Sequence, residues 1–178
     1  MRWGKNLRWL LMAAALACAP VPVGALSSSD VLVGLETLQL LSDKPSGTIV
    51  VAIVYDPSNR ISSGDAEDVQ SLFNHGIDVL SSIKPTGLMV PVNDLGKLSK
   101  ARVAIIMQNT QSSMGAIAAA ANANHVLTMS SDLSCVKSGK CVLGMVTEPS
   151  TEIYYNKAAG EAAQIKFAPA FLMLVKLI

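Results

Sequence analysis

Few residues of this chain could do chemistry. His75 and His125 are its only histidines, and Cys18, Cys135 and Cys141 its only cysteines. A serine nucleophile needs a base within hydrogen-bond reach, and no serine here stands in a G-x-S-x-G elbow. His75 precedes Gly76 at a helix stop and His125 opens a predicted strand, both structural positions. Two distant histidines and a cysteine pair leave no closed zinc set. No G-x-G-x-x-G and no phosphate-loop lysine follows an apolar run. The expectation is a protein without catalytic residues, metal or cofactor.

What remains is three short polar loops, each behind an apolar run: Pro57-Ser58-Asn59-Arg60, Asn109-Thr110-Gln111-Ser112 and Ser130-Ser131. In open α/β sheets, ligands sit outside the carboxyl ends of the strands, where helix N-termini offer free N–H groups. Ser58, Asn59, Asn109, Thr110, Ser112, Ser113 and Ser130 are therefore the candidate ligand-binding residues. Asp65, Glu67 and Asp68 follow the first loop and repel an anion. No acid follows Ser113 closely, so that turn is the better place for an anion or polar ligand. Serine and asparagine are also ordinary caps and turn formers, which is the competing role.

The elements that must position these loops can be read from hydrophobic period. Ser27-Ser28-Ser29-Asp30 caps a helix to about Leu41, with Val31, Leu35, Leu38 and Leu41 near one face. Thr48 to Tyr55 is a continuous β-branched run, the signature of a strand covered on both faces. Ser62 or Ser63 caps a second helix, and Ala66, Val69, Leu72 and Phe73 form its buried stripe. Leu88–Val92, Ala101–Met107 and His125–Met129 read as strands, and 113–121 as an alanine-rich helix. Such alternation predicts one α/β domain, a central, mainly parallel sheet flanked by helices. Cys141–Thr147 and Glu152–Asn156 read as an antiparallel hairpin joined by Glu148-Pro149-Ser150-Thr151. Asn156 then caps a short helix from Lys157 to Ala163, and Pro169 opens a final apolar helix. Phe171, Leu174, Val175 and Ile178 would be the buried face of that helix. Leu172, Met173 and Leu177 fall off it and form the expected partner or homodimer surface.

Composition narrows the classes further. The chain has 178 residues, a formal charge of +1, 15% charged and 4% aromatic residues. That balance supplies neither a basic surface nor stacking platforms for nucleic acid. Residues 1–25 read as an export signal: Arg2, Lys5 and Arg8, an apolar run from Trp9 to Ala17, then Val23-Gly24-Ala25 before the cut. The run is too short to span a bilayer, which needs about 20 residues. A rival cut would make Cys18 a lipid anchor, although Ala15-Leu16-Ala17 lacks the large aliphatic residue usual there. The expected mature domain is 26–178 and its compartment the periplasm. There Cys135 and Cys141, an even pair with a Ser-Gly turn between them, default to a disulfide. Its bland role is a staple across a turn. The sharper one is a redox latch, an exposed bond open to attack beside Lys137 and Lys140.

The C-terminal third also resembles a known family. Glu152-Ile-Tyr-Tyr-Asn156, Lys157 to Ala163, Ile165-Lys166-Phe167 and the Phe171-Leu172…Leu174 stretch are similar to the C-terminal signature of the YfiR-like family. The order of Thr48–Tyr55, Ala101–Met107, Val126–Ser130 and Val142–Val146 fits the same pattern. The resemblance implies a small periplasmic α/β protein that restrains an inner-membrane diguanylate cyclase by binding its periplasmic part, lowering cyclic-di-GMP and biofilm. It also implies a cysteine pair near Cys135 and Cys141 tied to stability and redox response. Two departures stand out: Ala170 and Met173 replace arginines usual in the family's terminal helix, and its aromatic N-terminal segment is missing. A weaker resemblance, Val54-Tyr55-Asp56-Pro57-Ser58-Asn59 to a strand–loop of ABC-type substrate-binding proteins, implies a small-ligand binding module instead.

Overall fold

The computed structural model describes residues 26–77 and 82–178. The export-signal reading of residues 1–25 lies outside them. The β-branched run forms strand β1 (Gly47–Tyr55), and its alternate side chains point to opposite layers. Val51 and Ile53 join one core, Ala52 and Val54 the other, all fully buried. Strand β3 (Val103–Ile106) repeats the pattern, with Val103 and Ile105 on one side and Ala104 and Ile106 on the other.

The remaining strands are β2 (Ile83–Pro91), β4 (Leu127–Ser130), β5 (Leu143–Val146), β6 (Glu152–Tyr155) and β7 (Lys176–Leu177). They form one seven-stranded sheet in the order β2-β1-β3-β4-β5-β6-β7. Strands β1 to β5 run parallel, β6 is antiparallel to β5, and β7 is parallel to β6. The expected α/β architecture and C-terminal hairpin are both present.

Two layers of helices cover this sheet. Helices α1 (Ser28–Glu36) and α2 (Arg60–His75) supply Val31, Leu35, Ala66, Val69 and Phe73 to the larger core, joined by Ala159 from α5 (Lys157–Ala162). Helices α3 (Met114–Ala123) and α4 (Leu133–Lys137) supply Met114, Ile117, Ala121, Cys135 and Val136 to the other core.

Several local readings change. Helix α1 ends at Glu36 and continues as a 3₁₀ turn over Thr37–Leu40, still burying Leu38 and, beyond it, Leu41. The cap of α2 is Asn59, not Ser62 or Ser63, because its side chain accepts from the N–H groups of Ile61 and Ser62. Strand β2 begins at Ile83, well before Leu88, and includes Pro85, which lacks an N–H. As an edge strand it tolerates that loss. His125 has φ 54° and lies in the turn after α3 rather than opening β4, which starts at Leu127. The final helix shrinks to a 3₁₀ turn over Pro169–Met173, after which the chain extends into β7. Phe171 is fully buried against Phe167 and Tyr155, but Leu174 and Ile178, expected in the core, are 66% and 43% exposed.

Helix α1 approaches the sheet at Gly34, where a β-carbon would lie 2.5 Å from Met145 Sδ and 2.6 Å from Met129 Sδ. Both methionines are fully buried, so neither has open space into which to move. Gly34→Ala should therefore destabilise the protein by about 1–3 kcal/mol in urea unfolding, as overpacking does. Gly64, inside α2 with nothing near its β-position, provides the contrast: Gly64→Ala should stabilise by about 0.5–1 kcal/mol.

Candidate functional site

The parallel topology gathers the three predicted loops at one end of the sheet, behind the neighbouring strands β1, β3 and β4. Most of their polar groups are engaged in building the turns. Asp56 accepts from the backbone and hydroxyl of Ser58 at 2.8 and 2.6 Å. Those two donors hold its carboxyl below the usual aspartate range. Asn59 is committed to capping α2. Asn109 takes φ 61° in the turn after β3, the left-handed region that asparagine tolerates. Thr110 is buried and donates to the Met107 carbonyl at 2.8 Å. Ser130, also buried, donates to the Ile106 carbonyl and accepts from Asp132 N–H.

Two side chains that the sequence reading passed over tie these loops together. Gln108 donates to Asp65 at 2.9 Å, closing the crevice between β1 and β3, where the strand order reverses. Gln111 donates to Asp132 at 3.1 Å and joins the β3 and β4 loops. Ser112 is exposed and Ser113 half-buried, and the start of α3 has no side-chain cap. Among the predicted loop residues, these two stay at the surface beside an uncapped helix end. Glutamine carries no motif, so the cross-links were invisible until the loops were placed.

Two clefts open on the surface. One, of about 560 Å³, lies beyond the amino end of β3 and holds the exposed Arg102–Asp43 pair at 3.2 Å. The other, of about 440 Å³, lies at the carboxyl ends of β4 and β5 and is lined by Ser27, Asp30, Asp132, Leu133, Met145 and Glu148, among others. Ser27 and Asp30 form a reciprocal capping box for α1: Ser27 Oγ accepts from Asp30 N–H, and Asp30 Oδ2 accepts from Ser27 N–H. The other oxygen, Asp30 Oδ1, is buried without a hydrogen-bond partner. The Ser-x-x-Asp spacing is the sequence signal for this pair, and by itself it marks only a helix start.

Cys135 and Cys141 are joined by a disulfide, with Cα atoms 5.2 Å apart. The bond is not an exposed turn: Cys135 is 1% exposed and lies on α4, Cys141 is 0% exposed, and Met114 Sδ sits 3.2 Å from Cys135 Sγ. Lys137 and Lys140 are exposed but do not expose the sulfurs. Burial favours the staple over the latch, because exchange requires access to sulfur.

The third predicted feature, at the C-terminal end, is a surface. Leu172, Met173 and Leu177 are 43%, 87% and 59% exposed. The surface spans the Pro169–Met173 turn and strand β7, which is clamped to β6 by Lys176, whose ammonium donates to Glu152 Oε1 at 2.6 Å beside the Tyr154 hydroxyl, itself 2.5 Å from Glu152. The bond from Lys176, then that from Tyr154, holds the Glu152 carboxyl below its usual range, and the same bonds raise Lys176 and Tyr154 above theirs. Among the described residues, no group of three His, Cys, Asp or Glu is placed to hold a metal, and no helix is long and apolar enough to cross a membrane.

No family model matches the chain, and no curated protein matches it. Solved structures do. A conserved domain protein from Vibrio cholerae O1 biovar El Tor is similar at 16% identity and a TM-score of 0.58, covering 83% of this chain and 59% of that one. The ABC domain in complex with L-Trp from Streptococcus pneumonia is similar at 12% identity and a TM-score of 0.60, covering 84% of this chain and 60% of that one. This chain thus spans about three-fifths of each, and at such identity the likeness establishes the α/β fold alone.

Two outcomes follow from these geometries. Cys135→Ala with Cys141→Ala should lower stability by about 2 kcal/mol in urea unfolding, the chain-entropy value for so short a loop. The β7 clamp should respond to pH at both ends. A lowered Glu152 contributes above its unfolded pKa and is lost as pH falls through its folded one, whereas the raised Lys176 and Tyr154 contribute below their unfolded values and are lost as pH rises. The amide resonance of Ile178, bonded to the Tyr155 carbonyl, should hold steady at neutral pH and shift at both extremes. Glu152→Gln should abolish the acid limb and weaken the basic one, since the Glu152 carboxylate is what raises Lys176 and Tyr154.

Proposed function

We propose that this protein is a non-enzymatic regulatory module that docks a protein partner through the apolar surface of its C-terminal segment. One observation carries the reading. Among the described residues, the exposed large apolar side chains are Leu32, Ile61, Leu172, Met173, Leu174, Leu177 and Ile178, and five of these lie in 172–178. Side chains of that size each forgo roughly 1.5–3 kcal/mol of burial when left wet. Clustered on a turn and an edge strand, they suit a surface completed by another chain. The edge adds unpaired backbone groups, which a partner strand can take up.

The resemblance of Glu152–Leu174 to the YfiR-like signature supports a partner class, the periplasmic part of an inner-membrane signalling protein, with a diguanylate cyclase first in line. In that setting the disulfide keeps α4 and the start of β5 fixed under the hairpin that carries the clamp. A second copy of this chain would compete for the same surface.

Met173, the most exposed of the group, can change without touching the core. Deleting the gene should raise cellular cyclic-di-GMP and biofilm. A Met173→Arg protein should fold with unchanged melting temperature yet fail to restore the lower level. Full restoration by Met173→Arg, or unchanged cyclic-di-GMP in the deletion strain, would refute the proposal. A metabolite-specific rise in melting temperature with no partner recovered would favour the ligand-binding module instead.

A further inference from the structure

The cleft at the carboxyl ends of β4 and β5 has three carboxylates in its lining, Asp30, Asp132 and Glu148, and no lysine, arginine or histidine. Asp132 is engaged by Ser134 N–H and Gln111, and Glu148 is exposed. Asp30 differs from both. It is only 6% exposed, and its Oδ1 has no hydrogen-bond partner. The capping box accounts for Oδ2 alone, which accepts from the backbone and hydroxyl of Ser27 at 2.9 and 2.8 Å. A buried carboxylate oxygen left unpaired calls for a donor, and a cation is the strongest kind.

The chain itself supplies one at the right place. Leu26 is 9% exposed and belongs to the larger core, so the backbone just before the cap is pinned. Consecutive residues are about 3.8 Å apart, so the Leu26 nitrogen lies one residue from a nitrogen already bonded to Asp30. Val23-Gly24-Ala25 places small residues three and one before the Ala25–Leu26 bond.

We propose that the mature chain begins at Leu26 and that its α-ammonium is the missing cation of this cleft, donating to Asp30 Oδ1. The proposal rests on the export-signal reading of residues 1–25. A signal peptidase adds water across the Ala25–Leu26 amide. The hydroxyl goes to the Ala25 carbonyl carbon, the C–N bond breaks, and the nitrogen leaves as the Leu26 amine. At neutral pH the products are the Ala25 carboxylate and the Leu26 ammonium, with no other reagent consumed. Cleavage thus turns an amide with one N–H into a charged group with three, beside three carboxylates. Processing and the final seating of α1 become one event.

The test uses protein exported by its own leader. N-terminal sequencing should give Leu26, and the α-amine, followed by NMR, should titrate above the range of about 7.7–8.0 of a free α-amine. In Asp30→Asn the amine should return to the ordinary value. A version carrying Ala25 and a preceding methionine, oxidised so that the Cys135–Cys141 bond is intact, should melt several degrees below the exported protein, an arm that does not depend on the variant folding. A first residue other than Leu26 refutes the export reading and the proposal together. Leu26 with an ordinary α-amine titration refutes the pairing alone, as does stabilisation by added methylammonium of a Leu26 form whose amine titrates normally.

Discussion

A sheet of parallel strands cannot leave either face in water, and the rest of this molecule follows from that requirement. Val51 and Ile53 against Ala52 and Val54, and the matching alternation along β3, demand a helical layer on each side. Right-handed crossovers then return every strand in the same direction, so the loops after β1, β3 and β4 meet at one end. Antiparallel β6 ends the parallel run, and β7 closes the C-terminal side as a short edge. Two places where polar or apolar chemistry is left incomplete, the Asp30 cleft and the surface around Met173, lie at the borders of this scheme.

The contrast between the loops and the borders is instructive. At the carboxyl ends of the central strands, Asp56, Asn59 and Thr110 find partners within one turn, Ser130 bonds the Ile106 carbonyl of the neighbouring strand, and glutamines bridge the loops. These groups stiffen the end of the sheet. The C-terminal segment shows the opposite balance: one aromatic anchor, Phe171 between Phe167 and Tyr155, and a row of apolar side chains directed outward. A surface held by one buried ring and one charged clamp presents its apolar groups without involving the core.

Period and β-branching made the fold legible in the sequence. The β1 run, the capping serine of α1, the hairpin and the Asn156 cap all stand where the residues placed them. What could not be read there is contact between distant parts. Gln108 reaches Asp65, and Gly34 admits Met129 and Met145, only once strand order is known. Helix α4 went unseen because Leu133–Lys137 is a single short turn, too brief for a period. The terminal helix failed for a different reason. Its spacing suits a helix, but Lys176 pairing with Glu152 and the Ile178 N–H bonding to Tyr155 draw the chain out as a strand.

On the proposed function, the Met173 surface contacts a partner in the cell. A photo-crosslinking residue placed at Met173 and, as a control, at the also exposed Ile61 on α2 puts this to a direct test, since these two sites are 87% and 60% exposed. A crosslinked product with an inner-membrane signalling protein is expected from position 173 and none from position 61. Equal labelling from both positions, or none from either, would contradict it.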